Sequence, residues 1–567
     1  MNTLEDPSKS GMELRVLLVA VLSMFVLFSF QFFFPPPVQP LDPVPEAGSE
    51  ESTDPRPVIP PSTPLISRPD PGRQAAAIEA TQATPSRFTM SNADVELVWS
   101  NVRGGLRSVR LLQYGGDDGE ALEIIPQGLP DDVTHPLEVG LDGVHDAVLK
   151  EAVYETVRSR SGRRLTMRFR KGSLQVDRTI ELLETGYQLS IKTDVRVDGR
   201  RSPYSLALGA GIGDDWDGGY YADFATPQVV YWTPEEGLTI YGPGDLDDEE
   251  ITLNSSPEWV AVDSHYFGYA LISPDIVRFK ALSEKSTRTL EDGNQEEVSL
   301  LRSDVQLAPG QASIFFVGPK ISEVLLAVDE SLPNLIDYGY LAVMVKPLVY
   351  VLKAVNNVIG NYGFSIIFLT FLINVVLFPI RYKQMASMKK MSAVQPKLKA
   401  IQDKFKRMKR DDPRKLKMNE EVMALYKAEG VNPLAGCLPL VVQMPFLFAF
   451  YRMLALTMEL RGAPFILWIQ DLSKADPYYV TPIVMGATMV LQQKMTPMAG
   501  DPMQRRMMMF MPVVFTILFL SVSSGLAIYF LFSNVFGMLF QYGFKQLSKE
   551  EPPKPSGKPK GKKKKKK

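Results

Sequence analysis

Residues 363–381 read GFSIIFLTFLINVVLFPIR, an apolar run of membrane-spanning length with one amide, Asn374, in its interior. Thr370, Asn374 and Arg381 recur at i, i+4 and i+11, close to one helical stripe, so the span has a polar face beside its lipid-like faces. At 1.5 Å per residue, Asn374 lies about 10 Å from the Arg381 end. An amide at this depth either pairs with a neighbouring helix or lines a wet cavity, and both readings stay open.

The rest of the 567-residue chain is read outward from this span. A mean hydropathy of -0.04 resembles that of a soluble protein only because polar and apolar blocks cancel. The net charge of -2 hides a division of the same kind. From Lys346 onward there are 34 Lys and Arg against 12 Asp and Glu, and the totals of 62 and 64 leave 28 against 52 before it. An acidic first part and a basic second part suit different compartments or partners. One cysteine, Cys437, excludes an intramolecular disulfide, so an exported domain must rest on its own core.

Residues 1–34 contain an apolar run from Leu14 to Phe34, too long for a typical signal-peptide core and without a small-residue cleavage site, and read as an uncleaved anchor. Residues 35–86 are rich in Pro, Ser and Glu, as in an extended tether. Over 87–325 the pattern changes to short alternating segments such as Val95–Trp99, Leu165–Phe169 and Tyr187–Ile191, with Ser313–Val317 near the end. Separated by Gly, Asp and Pro turns, these predict a large antiparallel β-sandwich. The domain holds all three histidines; His135 and His145 as acid and base of a hydrolase, or a sugar-binding sandwich, is the enzyme alternative, and no partner carboxylate can be placed for it.

Residues 341–359 carry Lys346, Lys353 and Asn357 on one face and predict a helix lying in the bilayer interface. The first core span is 361–381. Residues 382–433 are basic, with apolar positions at helical spacing interrupted by Asp411-Asp412-Pro413, and predict a helical hairpin on the cytoplasmic side. Further spans are predicted at 434–458, 478–494, 507–522 and 525–546, joined by an outer loop at 459–477, an inner loop at 495–506 and a tight turn at Ser521–Gly525. A basic tail, 547–567, follows. Counted together these give a polytopic α-helical membrane protein of six transmembrane helices, both termini cytoplasmic, with the β-sandwich exported between the first two.

Several motifs then make the pattern specific. They are Asn361-Tyr-Gly-Phe-Ser365, Met423-Ala-Leu-Tyr-Lys427, Val431-Asn-Pro-Leu434, Gln443-Met-Pro445, Asp476-Pro-Tyr-Tyr479, Asp501-Pro-Met503 and Ser524-Gly-Leu526 with Ser533-Asn534. With these the chain resembles the YidC, Oxa and Alb family of membrane protein insertases, in the form found in Gram-negative bacteria. The resemblance implies a bacterial inner-membrane location and a five-helix conserved core around a polar groove, open to the cytoplasm and sideways to lipid. It implies no cofactor. Implied partners are nascent membrane proteins, the Sec translocon, the ribosome and membrane lipids. Thr370 and Phe530 stand where relatives contact the passing segment. Where the family usually carries an arginine, this chain has Asn374, and Arg381 is expected to snorkel toward water rather than replace that charge.

On this reading Thr370, Asn374, Gln443, Thr488, Gln492, Phe530 and Ser533 line the groove. They keep hydrogen-bond partners within the hydrocarbon, where unpaired polar groups cost several kcal/mol each. Arg381, Lys389 and Lys390, with the tail Lys562 to Lys567, are candidate contacts for client or ribosome. No phosphate loop is present, so the driving force is client burial and the membrane potential. An intramembrane protease lacks its signature here, with no histidine after His265 and no aspartate within a span. A solute transporter is disfavoured by uneven spans without a matching half-repeat.

Overall fold

The computed structural model describes residues 84–547 except 117–118, 210, 213–226, 247–249, 291–292, 406–413, 431–437 and 496–501. The expected anchor at 1–34, the tether up to residue 83, and Lys562 to Lys567 lie outside the described residues.

Alternation builds the first half. In Leu174–Leu182 every second residue is buried, so one face of the strand meets a core and the other meets water. Three antiparallel sheets result. Arg87–Ser91, Val95–Ser100, Leu106–Gly115 and Ala121–Glu123 form the first. A ten-stranded sheet runs from Gly237–Tyr241 through Trp259–Asp263, Phe267–Ile272 and Ser313–Pro319 to Glu155–Arg158. In the third, Ile276–Thr289 and Gln295–Leu307 form a long hairpin. Trp99, Trp259, Phe267, Tyr269 and Phe315 fill the shared core, which also takes in Met458 from the helical part. Arg178 is fully buried in it and donates to the carbonyls of Gly104 (2.7 Å) and Leu137 (2.8 Å).

Apart from a single helical turn at Pro243–Leu246, the α-helices among the described residues are α1 (Val144–Lys150) and α2 (Ser322–Leu326) in the β-domain, then α3 (Ala342–Ile359), α4 (Tyr362–Phe405), α5 (Arg414–Glu429), α6 (Leu438–Leu456), α7 (Val480–Met495), α8 (Pro502–Leu518) and α9 (Ser524–Leu547). Gly360, at φ +72°, caps α3 in the left-handed conformation and separates it from α4. Beyond Arg381, where the sequence reading ends the span, α4 continues without a break for 44 residues in all. Residues 382–405 contain no glycine and many Lys, Met, Gln and Ala, which favour helix. The far half of α4 buries Val394, Leu398 and Phe405, and pairs with α5 through Lys397–Glu429 (2.5 Å) and Lys404–Glu421 (2.7 Å).

Among the described residues, three helices are long and apolar enough to cross a membrane, Gly339–Ile359, Tyr362–Phe405 and Ser524–Gln546, with shorter apolar helices at Met444–Leu456 and Met509–Leu518. Residues 341–359 therefore form a helix that has the length of a span as well as the expected apolar faces. Within the bundle α4 lies between α3 and α9, α7 packs on α9, α8 on α7, and α6 chiefly on α3. The α4–α9 seam is laced by paired rings: Phe371–Phe536, Phe378–Phe540 and Tyr382–Phe544, with centroids 5.5, 5.2 and 5.2 Å apart. Pairs of this kind contribute about 0.5–1.5 kcal/mol beyond area burial.

The loop before α7 is held by Asp476. Its carboxylate accepts from the Tyr478 N–H (3.0 Å), the Thr481 N–H and hydroxyl (2.7 Å each) and the Trp468 indole (3.0 Å). Burial raises the carboxyl, and these hydrogen bonds outweigh it, holding the group below the ordinary carboxylate range. Such a group contributes stability that is present above its unfolded-state pKa and is lost as pH falls through its depressed folded value. Asp476→Ala is expected to lower stability by about 1–3 kcal/mol at pH 7, and thermal melts should show the gap to wild type closing below about pH 4. A gap that stays constant with pH contradicts this assignment.

Candidate functional site

The polar stripe of α4 forms as its spacing predicts. Thr370 is fully buried and donates its hydroxyl to the Ile366 carbonyl at 2.6 Å, satisfied within its own helix. Asn374, 1% exposed, donates Nδ2 to the Thr370 carbonyl at 2.7 Å. Its Oδ1 is buried and has no hydrogen-bond partner among the described residues. An unsatisfied buried acceptor costs about 1–3 kcal/mol.

Facing polar groups come from α7 and α9. Thr488 donates to the Met485 carbonyl (2.6 Å), and its oxygen accepts from Asn534 Nδ2 (3.3 Å). Ser533, next to Asn534, is buried. One turn further on, Gly537 leaves a notch. A Cβ there would lie 2.5 Å from Gln492 Nε2 and 3.1 Å from Arg381 Nη1, so side chains from α7 and α4 occupy the space a larger residue on α9 would take.

The Arg381 guanidinium stands beside this notch on α9, and the residue as a whole is partly exposed. The ring pairs run in parallel along α4 and α9, Phe371 with Phe536 and Phe378 with Phe540, which puts Gly537 near the level of Asn374.

Thr370, Asn374, Thr488, Gln492, Ser533 and Arg381 thus lie on three helices packed side by side, and Thr370, Asn374 and Ser533 are closed off from solvent in this conformation. Phe530 is half-buried and turned to the end of α8, edge-on to Phe519 at 4.8 Å. Gln443 lies on α6, but its side chain is outside the described residues. Lys389 and Lys390 are exposed on the far half of α4. Asn534 and Gly537 were not among the sequence candidates, although Gly537, four residues after Ser533, falls on the same stripe.

The outer end of α6 is fixed to the β-domain. Arg452 donates to the carbonyl and carboxylate of Asp337 (2.9 Å each), and His265 Nε2 lies 2.5 Å from the Ala455 carbonyl. Arg461 lies over the rings of Tyr266 and Phe267 at 5.9 and 5.2 Å. His135, offered as a catalytic acid or base, is buried instead. Burial, then the Arg107 charge, pushes its imidazole down to about 4, which leaves it neutral near pH 7.

Comparison with known proteins places the two halves. Residues 87–351 match the family model of the YidC periplasmic domain, and residues 354–551 match that of the 60Kd inner membrane protein. The chain is 33% identical over 567 residues to the membrane protein insertase YidC of Syntrophus aciditrophicus, covering 94% of this chain and 99% of that one. It is 34% identical over 553 residues to that of Geotalea daltonii, covering 92% and 97%. Among solved structures, an active YidC insertase with its first transmembrane domain resolved matches at 16% identity and a TM-score of 0.37, over 82% of this chain and 95% of that one. A galactose mutarotase-like protein from Lactobacillus casei matches at 12% identity and a TM-score of 0.26, over 41% and 100%.

Proposed function

Because this chain belongs to the YidC family of membrane protein insertases, we propose that it inserts nascent membrane proteins by taking their polar segments onto the track formed by α4, α7 and α9. It is an inner-membrane protein with a periplasmic domain, and its clients are nascent membrane proteins. In the proposed topology the anchor at 1–34 and five core spans cross the membrane. Both termini are cytoplasmic, and the α4–α5 hairpin reaches into the cytoplasm to meet the client first.

The observation that carries the reading is Arg381 beside Gly537 and Gln492, with the buried Asn374 oxygen, unpaired among the described residues, on the same helix as Arg381. A client's polar tail exchanges water for Asn374, Gln492, Ser533 and Arg381, while its apolar segment slides along the ring-lined α4–α9 seam into lipid. Each polar group met by a partner avoids a desolvation cost of several kcal/mol. The arrangement requires no bound nucleotide, since burial of the client's apolar segment supplies the free energy. A photocrosslinker at residue 374 or 530 should capture a stalled nascent chain. Purified vesicles should show client insertion; solute flux without insertion would overturn the reading in favour of a transporter.

Further proposed partners are the Sec translocon, membrane lipids and the ribosome. For the ribosome the supporting feature is charge, the terminal lysines and the exposed Lys389 and Lys390. Deleting Lys562 to Lys567 is expected to weaken ribosome co-sedimentation about threefold to tenfold at low salt, with the difference vanishing at high salt. Unchanged co-sedimentation argues against this contact.

A further inference from the structure

A cavity of about 350 Å³ opens on the β-domain, with walls that include Arg87, Arg107, Ser108, Gln127, Asp131 and His135. That volume suits a small molecule. Nothing in the insertion mechanism uses it.

Its chemistry is that of a donor-rich pocket. Arg107 is nearly buried, its side chain 11% exposed, with Nη1 2.6 Å from His135 Nδ1 and Nη2 3.4 Å from Glu138 Oε1. His135 Nδ1 lies between this guanidinium and the Val133 carbonyl, 2.9 Å from the latter, so the imidazole is held in place from two sides. Arg87 is exposed, and its side chain has no hydrogen bond or ion pair among the described residues.

Charge is unevenly matched around this point. Burial, Arg103 and Arg87 all work against the charge on Arg107, and only Glu138 and Asp131 favour it. Glu138 is already bridged by Arg103 at 2.8 Å. Three guanidinium groups thus face two carboxylates, and the most buried cation at the cavity holds a 3.4 Å share of one of them.

The walls are also fixed in place. Gln127 Nε2 donates to the carbonyls of Arg107 (3.2 Å) and Ile125 (2.9 Å), and its own carbonyl accepts from Arg288 Nε at 2.9 Å. Gly128, at φ +76°, packs on the Thr289 carbonyl, so a side chain there would overlap backbone. A site that needs no reordering loses little affinity to entropy.

We propose that this cavity binds a small oxyanion, a carboxylate or a phosphate, held by Arg107 and Arg87, while Asp131 accepts from a hydroxyl or ammonium group on the same ligand. The arginine fork matches two oxygens of either group.

The test is isothermal titration of the purified full-length chain in detergent with inorganic phosphate and, separately, with succinate, at ionic strength held constant with chloride. Saturable binding of at least one, with Kd below about 1 mM, is expected. Whichever binds more tightly identifies the ligand as phosphate-bearing or carboxylate-bearing. Arg107→Gln should weaken it about tenfold or more. Arg107 also supports the fold, so the exposed Arg87→Gln, expected to weaken binding about threefold, carries the test where Arg107→Gln does not fold. No saturable binding of either anion up to about 10 mM, or an affinity unchanged in Arg87→Gln, overturns the proposal.

Discussion

Asn374→Leu should slow insertion of clients with polar exported tails by about tenfold or more, and leave clients with short apolar tails within about twofold of wild type. The asymmetry follows from the Asn374 amide. Its Nδ2 is spent on the Thr370 carbonyl, but its Oδ1 is buried and, among the described residues, unpartnered. Leucine is nearly isosteric and removes that lonely acceptor, so the resting fold should be as stable as wild type or more so. What is lost is a hydrogen-bond site deep in the hydrocarbon, and only a client that brings polar groups needs it. The measurement is insertion into vesicles of paired clients that differ only in the exported tail. Equal activity on both would show that the amide has a packing role alone.

Gly537→Leu should be more damaging, reducing insertion of all clients by about a hundredfold. A leucine side chain at residue 537 competes for the space now held by Gln492 Nε2 and Arg381 Nη1. Either α9 moves away from α4 and α7, at a cost of about 1–3 kcal/mol for overpacking, or both polar side chains are expelled. Gly537→Ala separates these outcomes, because a single Cβ requires only a small shift of Gln492 and Arg381 and should leave an intermediate loss. Insertion assays on both variants, beside a thermal melt in detergent, check the order. Full activity in Gly537→Leu would mean that this cation and amide do not serve the client.

The β-domain was legible because strand alternation leaves a strong trace. Val95–Trp99, Leu165–Phe169 and Ser313–Val317 each fall within a strand. The stripe of Thr370 and Asn374 was legible for the corresponding reason, since helical spacing is written directly in the sequence. The position of the Arg381 guanidinium beside α9 was not legible because the direction of a long side chain near a helix end depends on the opposing surface. That surface is Gly537, more than 150 residues later in the chain. Asn534 was passed over as a site residue because its role depends on the approach of Thr488 from α7. The continuity of α4 past Arg381 was hidden by composition: the chain changes from apolar to basic there, which signals a change of solvent and not of secondary structure.

Placing the only cysteine of a Cys437→Ser background at residue 374 tests the central claim most directly, using a charged, membrane-impermeant thiol reagent added from the cytoplasmic side. Val376→Cys, on an exposed and lipid-facing part of α4, sets the dry limit, and Lys389→Cys sets the wet one. Residue 374 should react at least about tenfold faster than residue 376, because on the proposed mechanism water reaches it when the track opens. Modification at 374 as slow as at 376, with a nascent client bound or without, would rule out a hydrated track past Asn374.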